Sequence, residues 1–269
     1  MKKTLLTIAA VAAFFFVSCG NGKRSDASAA EVDVAQVLNT FRENANAIDA
    51  NEELTDEQKD AAYAELLEKT YEEHKADSAG ILMFCRIAAN GVWDVETVEK
   101  KYEQASDLVK GSDQVLRSVR MAKAEQATSA GQKYTDVCGS DIITGKDLSI
   151  SSVLAQGKPV VVDFWASWCG PCRRAISTVL VDAAKKYAGK LNILGIAVWE
   201  KKPEDTLGAM QELGVTWPVI YDERREGGSA EQYGVLGIPT IVGIQPDGTI
   251  VARGHNAQEV LQALGFNED

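Results

Sequence analysis

The sequence predicts an all-α domain followed by an α/β domain, and two observations support that prediction. Residues 31–130 contain no proline and are rich in Ala, Glu, Lys, Gln and Leu, which are good helix formers. From Gly131 onward, short apolar runs alternate with helical patterns, and this alternation favours a sheet with helices on both faces. We therefore expect a helical domain over 31–130 and an α/β domain over 131–269.

The N-terminal segment resembles an export signal followed by a tether. Two lysines precede an apolar run over residues 5–17, which is too short to span a bilayer comfortably. The run ends in Val-Ser-Cys-Gly, so residues 1–18 resemble a bacterial lipoprotein signal in which Cys19 becomes lipidated. An ordinary secretory signal with an incidental cysteine is the alternative. Small polar residues over 19–30 suit a flexible tether.

A lipoprotein signal would place the folded protein at the periplasmic face of the cell envelope. The lipid would anchor the chain in the inner or the outer membrane, and the sequence does not distinguish the two. Disulfide bonds persist in that compartment. With Cys19 used for lipid, four cysteines remain, namely Cys85, Cys138, Cys169 and Cys172.

The helical half is predicted to contain about five amphipathic helices. Thr55 and Gln58 form the two ends of a capping box ahead of a helical run. Asp77, Asp94 and Ser112 each precede a further helical run and are suitable N-caps.

The charge distribution argues against nucleic acid as a partner. The precursor has a net charge of −11, and residues 31–130 carry 21 acidic against 11 basic side chains, whereas residues 131–269 carry 17 against 13. No basic stripe with interleaved aromatic residues occurs in the sequence. We interpret the acidic half as a solvated helical surface.

The α/β half is predicted to begin its main sheet at residues 158–166, KPVVVDFWA. This run is continuous, β-branched and opened by Pro159, as expected for a buried strand. A helical pattern covers 170–188, and residues 191–199 predict a second buried strand, with a helix after Pro203. The remaining predicted elements are the strands PVIYD, PTIVGIQ and TIVARG, a turn at Pro246-Asp247-Gly248, and a closing helix over 257–264.

The pair Cys169 and Cys172 admits three interpretations. A structural zinc site needs a second pair or nearby histidines, but the only histidines, His74 and His255, are isolated in the sequence, so we expect no metal. A passive disulfide over so short a loop would constrain the unfolded chain little.

A redox role fits the position of the pair, at a strand-to-helix junction. The helix N-terminus presents free N–H groups and a positive dipole end, which stabilise a thiolate. Cys169 would then be the exposed nucleophile, and Cys172, one turn into the helix, the buried resolving thiol. Pro171 suits the first helical turn, where its missing N–H has no intrahelical partner to lose.

The segment VVVDFWASWCGPCRR resembles the active site of the thioredoxin superfamily. Residues 134–269 more broadly resemble the membrane-anchored periplasmic thiol–disulfide oxidoreductases called TlpA-like or ResA-like. The supporting segments are a hairpin-like lead-in over 134–148, WPVIYD, YGVLGIPT and PDGTIVARG. The helical half resembles the N-terminal extensions of Bacteroidetes-type members. The resemblance implies a thioredoxin-like fold with a central mixed sheet, and no cofactor beyond a redox-active Cys169–Cys172 disulfide.

The resemblance also implies roles for other residues. Pro239 would have a cis peptide bond and lie beside the cysteine pair, so that the backbone of Ile238 could bind an extended substrate strand. Asp163 would be a buried acid that handles the proton of the resolving thiol; the alternative is a solvent-facing carboxylate. The expected substrate contacts are Trp168, Gly170, Pro171, Ile238 and Thr240.

The sequence departs from these relatives close to the pair. Ala175 stands where many have Glu, and Ser177 stands where many have Pro. The Glu-based proton route is therefore absent, which leaves Asp163 as the expected base. Cys85 and Cys138 lie outside the motif and are expected to be buried, inert thiols, with a bridge between them as the alternative.

The sequence thus predicts a lipid-anchored oxidoreductase that reduces protein disulfides. The Gly-Pro dipeptide between the cysteines is that of the reducing thioredoxins, and such enzymes receive electrons from a membrane thiol reductase. The alternatives are an isomerase or oxidase at the same centre, or a non-enzymatic lipoprotein that binds ligands at the cell surface. Peroxiredoxins share the fold, but their Pro-x-x-x-Thr-x-x-Cys segment does not occur here.

Overall fold

The computed structural model describes residues 32–224 and 226–267. The predicted signal, the tether and Cys19 lie outside the described residues. The described part of the chain divides into two compact units, with the division between Val119 and Arg120. Within the described residues, no helix is both long and apolar enough to cross a membrane. The domain limits proposed from composition stay a prediction.

Helices make up the described part of the first unit, and the division between units falls within the last of them. Residues 34–127 contain six helices rather than about five, because Ser106 caps a short extra helix that ends at Gly111. Asp77 and Asp94 accept N-cap hydrogen bonds as predicted, and Thr55 and Gln58 form the predicted capping box. The helices are α1 (Val34–Asp49), α2 (Asp56–His74), α3 (Ser78–Ala89), α4 (Val95–Gln104), α5 (Asp107–Lys110) and α6 (Asp113–Ala127).

The core of the helical unit is built on aromatic rings. Tyr71, Phe84 and Trp93 are buried and pack edge to face, with ring centroids 5.1 to 6.0 Å apart. Edge-to-face packing is favourable because the positive edge of one ring meets the negative face of the next.

The second unit alternates strands with helices, as predicted. Its elements are β1 (Cys138–Ser140), β2 (Asp147–Ser149), α7 (Ile150–Leu154), β3 (Val160–Trp165), α8 (Gly170–Ala175), a π-helical turn (Ile176–Leu180), α9 (Val181–Lys186), β4 (Asn192–Ala197), α10 (Pro203–Leu213), β5 (Val219–Tyr221), α11 (Ser229–Gln232), β6 (Thr240–Ile244), β7 (Ile250–Gly254) and α12 (Ala257–Ala263). The predicted uniform helix over 170–188 is instead interrupted by the π-helical turn.

The main sheet is mixed and has the strand order β5-β4-β3-β6-β7. Strands β3, β4 and β5 are parallel, whereas β6 runs antiparallel to both β3 and β7. Strands β1 and β2 pair separately as an antiparallel hairpin, which confirms the predicted lead-in.

Strand β3 is central and fully buried, with a hydrophobic cluster on each of its faces. Val161 and Trp165 belong to one cluster, together with Cys172 of α8 and side chains of α9, α10 and α12. Val162 and Phe164, which alternate with these residues, belong to the other cluster, together with side chains of α7 and α11. Because alternate strand residues share a face, Asp163 lies on the face of β3 that packs against α8.

The last turns of α6 belong to the second unit and pack closely on its other elements. Gly234 has a φ of +58° and lies so near α6 that a Cβ atom there would overlap the backbone of Met121 and Glu125. The Arg253 guanidinium donates to the Thr128 hydroxyl (2.7 Å) and to the Gly234 carbonyl oxygen (3.1 Å). Residues 120–128 therefore complete the hydrogen bonding of this unit.

The two cysteines outside the motif are free thiols, and one of them is exposed. Cys85 is half-buried, but Cys138 is exposed, so the expectation of a buried thiol is wrong for Cys138. The reason is strand alternation: Gly139 faces inward, where a Cβ atom would lie 2.6 Å from Ile220 Cγ2, and Cys138 therefore faces outward.

Candidate redox-active site

The cysteine pair lies where β3 passes into α8. Cys169 and Cys172 form a disulfide, with their Cα atoms 5.3 Å apart. Cys169 is the N-cap of α8, and the backbone N–H of Cys172 donates to Cys169 Sγ at 3.2 Å. An N–H group and the positive end of a helix dipole at such a position favour a thiolate over a thiol.

Cys172 is buried as predicted, and Cys169 is more enclosed than the sequence suggested. The expectation of an exposed Cys169 is wrong, since Cys169 is 4% exposed and Cys172 is 0% exposed. The carbonyl oxygen of Ile238, a residue distant in the sequence, lies 3.6 Å from Cys169 Sγ and covers it. Cys169 is the less buried of the two, and the assignment of the nucleophile and the resolving thiol stays a prediction.

The loop before β6 forms the opposite side of the site. The Ile238–Pro239 peptide bond is cis, and Pro239 is buried. Thr240 is also buried, and its hydroxyl donates a hydrogen bond to the Gly237 carbonyl oxygen at 2.7 Å. The predicted contact of Thr240 with a substrate stays a prediction.

The exposed surface at the site comes from residues that flank the pair. Trp168 is 57% exposed, which is unusual for a large apolar side chain. Gly170 and Pro171 are exposed, and Ile238 is half-buried. The structure thus brings together the predicted contact residues Trp168, Gly170, Pro171 and Ile238 around the disulfide.

Asp163 is 1% exposed in the middle of β3, so the solvent-facing alternative is wrong. Burial raises the pKa of Asp163 to about 7 because desolvation disfavours the charged form. Among the described residues, neither of its carboxylate oxygens has a hydrogen-bond partner. Asp163 pairs in register with Gly195 of β4 and Ile241 of β6, so it lies at the centre of the sheet.

The active-site helix departs from regular α geometry just after the pair. The π-helical turn covers Ile176–Leu180, and it includes Ser177, the position at which many relatives have Pro. The hydroxyls of Ser177 and Thr178 both donate to the carbonyl oxygen of Arg174. A π-helical turn in the middle of a helix is rare and is frequently found at functional sites.

The structure adds residues that the sequence did not single out. His255, considered only as a possible metal ligand, hydrogen-bonds through Nδ1 to the carbonyl oxygen of Pro239. Glu200 is buried and accepts hydrogen bonds from Ser167, two residues before Cys169. A charged residue directly after the apolar run of β4 was the available signal for Glu200, whereas the position of His255 depends on the pairing of β7 with β6.

Residues 32–224 and 226–267 contain no group of three or more His, Cys, Asp or Glu side chains that could hold a metal ion.

Comparison with known proteins matches the α/β half of the chain. The model of the AhpC/TSA family matches residues 130–253. A thioredoxin from Bacillus subtilis is 33% identical over 125 residues, which are 46% of this chain and 93% of the relative. A thioredoxin from Pseudomonas aeruginosa is 32% identical over 114 residues, which are 42% of this chain and 81% of the relative.

Solved structures resemble the same half. The structure of a thiol:disulfide interchange protein DsbE from Chlorobium tepidum is 27% identical and superposes with a TM-score of 0.43, covering 51% of this chain and 99% of that one. The strand order of the mixed sheet and the match to the thioredoxin from Bacillus subtilis identify a thioredoxin-like fold, preceded by a helical region, as predicted.

The buried carboxyl group predicts an unusual pH dependence of stability. The folded protein keeps the Asp163 proton up to a pH of about 7, whereas the unfolded chain loses it near 3.8, so Asp163 lowers the free energy of unfolding as pH rises through that window. We expect Asp163→Ala to raise the free energy of unfolding, and to raise it by about 2–3 kcal/mol more at pH 8 than at pH 5. Urea unfolding of both proteins at both pH values measures this. If Asp163→Ala raised the free energy of unfolding equally at pH 5 and pH 8, the fold would not raise the pKa of Asp163.

Proposed function

The chain belongs to the thioredoxin-like family of thiol–disulfide oxidoreductases, and from that premise we propose that it reduces protein disulfides in the periplasm while anchored by lipid. The observation that carries the proposal is the position of Cys169 Sγ. It lies 3.2 Å from the Cys172 N–H, which stabilises a thiolate, and 3.6 Å from the carbonyl oxygen of Ile238, beside the backbone that an extended substrate strand would bind.

The reaction proceeds by two thiol–disulfide exchanges. The Cys169 thiolate attacks one sulfur of the substrate disulfide, a mixed disulfide forms, and the departing substrate sulfur takes up a proton. Cys172 then loses its proton and attacks Cys169 Sγ, which releases the second substrate thiol. The substrate gains two electrons and two protons, and the enzyme ends with the Cys169–Cys172 disulfide seen in the structure.

Asp163 is the proposed acceptor of the Cys172 proton. It lies on the face of β3 that packs against the active-site helix, and its pKa of about 7 leaves a substantial fraction of the carboxylate form at neutral pH. Many relatives have a Glu at the position of Ala175 in α8. This chain has no carboxyl group there, so Asp163 is the proposed base on its own.

Substrate recognition in this proposal uses backbone and exposed apolar surface. The backbone of Ile238 would pair with the substrate strand, and Trp168, Gly170 and Pro171 would contact the residues around the substrate disulfide. Such contacts need no particular substrate side chain and suit proteins that differ in sequence. Reduction of the Cys169–Cys172 disulfide would be the task of a membrane thiol reductase.

The reduction potential of the Cys169–Cys172 pair distinguishes a reductase from an oxidase. Dithiols that act as reductants have potentials of roughly −270 mV, whereas a strong oxidant such as DsbA has roughly −120 mV. An isomerase would restore activity to a scrambled disulfide protein without net electron transfer. A non-enzymatic surface-binding protein would show no turnover.

The two active-site cysteines should be separable by substitution. We expect Cys169→Ser to abolish reduction of a model protein disulfide, and Cys172→Ser to accumulate a mixed disulfide between Cys169 and the substrate, because only Cys172 can resolve it. Non-reducing electrophoresis and mass spectrometry detect that adduct. Cys138→Ser, which removes an exposed thiol outside the site, is the matched control and should keep the wild-type rate. An adduct on Cys172 would reverse the assignment.

Asp163→Ala should slow the turnover of a protein disulfide roughly tenfold near pH 7, because Cys172 then ionises without a neighbouring base. The loss should shrink as pH rises, since the thiol ionises by itself. Rates measured from pH 6 to pH 9 test this. Val161→Ala, on the same face of β3, controls for lost packing and should keep the wild-type pH profile. Wild-type turnover of Asp163→Ala at pH 7 would remove Asp163 from the mechanism.

The lipid anchor is tested at Cys19. We expect Cys19→Ala to move the protein out of the membrane fraction or to leave its signal unprocessed, because lipid attachment requires that thiol. Cell fractionation and the mass of the mature N-terminus measure the outcome. Unchanged membrane association would refute the lipid anchor while leaving the redox proposal intact.

A further inference from the structure

The loop between β3 and Cys169 is attached to the segment that follows β4. Glu200 in that segment is 8% exposed, and both of its carboxylate oxygens accept hydrogen bonds from Ser167. The Ser167 backbone N–H donates to Oε1, and its hydroxyl donates to Oε2 at 2.8 Å. A buried carboxylate is tolerated only where such donors replace its lost water, so the contact fixes both partners.

Two neighbouring contacts hold the same loop. The Trp168 indole N–H donates to the carbonyl oxygen of Trp199 at 3.3 Å. Arg173 donates through Nη1 to the Ser167 carbonyl oxygen at 3.3 Å and through Nη2 to Glu212 Oε1 on α10 at 2.6 Å. The Ser167 N–H is therefore held by Glu200 of the segment after β4, and the Ser167 carbonyl group is held by Arg173 of α8, which is itself paired with Glu212 of α10.

The backbone of that segment adopts a conformation that is costly for its residue type. Trp199 has a φ of +57°, in the left-handed region, where a bulky side chain is an outlier. Strained residues of this kind persist where the surrounding contacts determine them, and they cluster at functional sites. Here the strained residue supplies the carbonyl group to Trp168 and directly precedes Glu200.

We propose that Glu200 is a positioning residue for the nucleophile: through Ser167, its carboxylate fixes the loop that sets Cys169 against the N–H of Cys172. This proposal rests on the exchange reaction proposed above. A hydrogen bond to sulfur depends on distance and angle, so a loop free to move would weaken the contact at 3.2 Å that stabilises the thiolate. Glu200 itself touches neither cysteine in this role.

The charge of Glu200 and its hold on the loop have opposite effects on a Cys169 thiolate, and this difference makes the proposal testable. The negative charge of Glu200 disfavours a nearby thiolate, whereas the fixed loop favours one. Glu200→Gln removes the charge but keeps an acceptor for the Ser167 N–H, and Glu200→Ala removes both. A purely electrostatic role predicts faster thiol chemistry in both variants, whereas a positioning role predicts slower chemistry in Glu200→Ala alone.

The experiment measures alkylation of Cys169 by iodoacetamide in the reduced full-length protein from pH 5 to pH 9. We expect Glu200→Ala to react at least threefold more slowly at pH 6.5, with its pH profile moved to higher pH, and Glu200→Gln to react at least as fast as the wild type. Glu204→Ala is the matched control, since it removes an exposed carboxylate from the first turn of α10, and it should stay within twofold of the wild type. Far-UV circular dichroism checks that each variant is folded.

Ser167→Ala tests the same contact from the other side and removes only the hydroxyl bond, so it serves even where Glu200→Ala does not fold. We expect the rate of Cys169 alkylation to fall less in Ser167→Ala than in Glu200→Ala. The variant that combines both substitutions should react no more slowly than Glu200→Ala alone, because the effects of residues that act through one contact are not additive. The proposal would be overturned if Cys169 in Glu200→Ala or in Ser167→Ala were alkylated at the wild-type rate. It would also be overturned if Glu200→Gln were slowed as Glu200→Ala is. Alkylation needs no protein substrate, so a wild type without disulfide-reducing turnover would refute the proposed function separately.

Discussion

The complete burial of β3 is the constraint on which the rest of the site depends. A strand covered on both faces can take only one place in the sheet, at its centre, between β4 and β6. Because β4 is parallel to β3, the segment after β4 reaches the same edge as Cys169. Because β6 is antiparallel, the loop before it starts at that edge as well. The segments with Glu200 and Pro239 therefore meet the cysteine pair through backbone pairing rather than through proximity in sequence.

Asp163 is the one ionisable residue in the buried strand β3, and it lowers the stability of the fold. An apolar residue there would complete the packing of a face that already contains Val161 and Trp165. The structure instead holds a carboxyl group without a hydrogen-bond partner among the described residues, and burial raises its pKa to about 7. A group that lowers the stability of the fold at neutral pH is expected to persist where function needs it. Stability and proton transfer are thus opposed at one position.

The sequence was sufficient to predict features that depend on neighbouring residues or on a periodic apolar pattern. The continuous β-branched run predicted β3, and the cysteine spacing predicted the redox pair. It was insufficient wherever a residue's environment comes from a distant segment: the burial of Cys169 depends on the Ile238 carbonyl group, and the place of Glu200 depends on strand register. The π-helical turn over 176–180 changes hydrogen bonding within a helix and leaves the apolar pattern intact, so the sequence predicted a uniform helix.

The close packing of Gly234 and Arg253 on the end of α6 bears on how the chain can be divided by recombination. The change in composition at Gly131 marks an apparent module border, but a gene segment that began there would lose Thr128 and leave the Arg253 guanidinium without that acceptor. It would also uncover the backbone of Gly234, whose missing side chain makes room for α6. The unit that can be inherited or exchanged intact therefore begins near Arg120 rather than at Gly131, and the last turns of α6 must accompany the thioredoxin-like half.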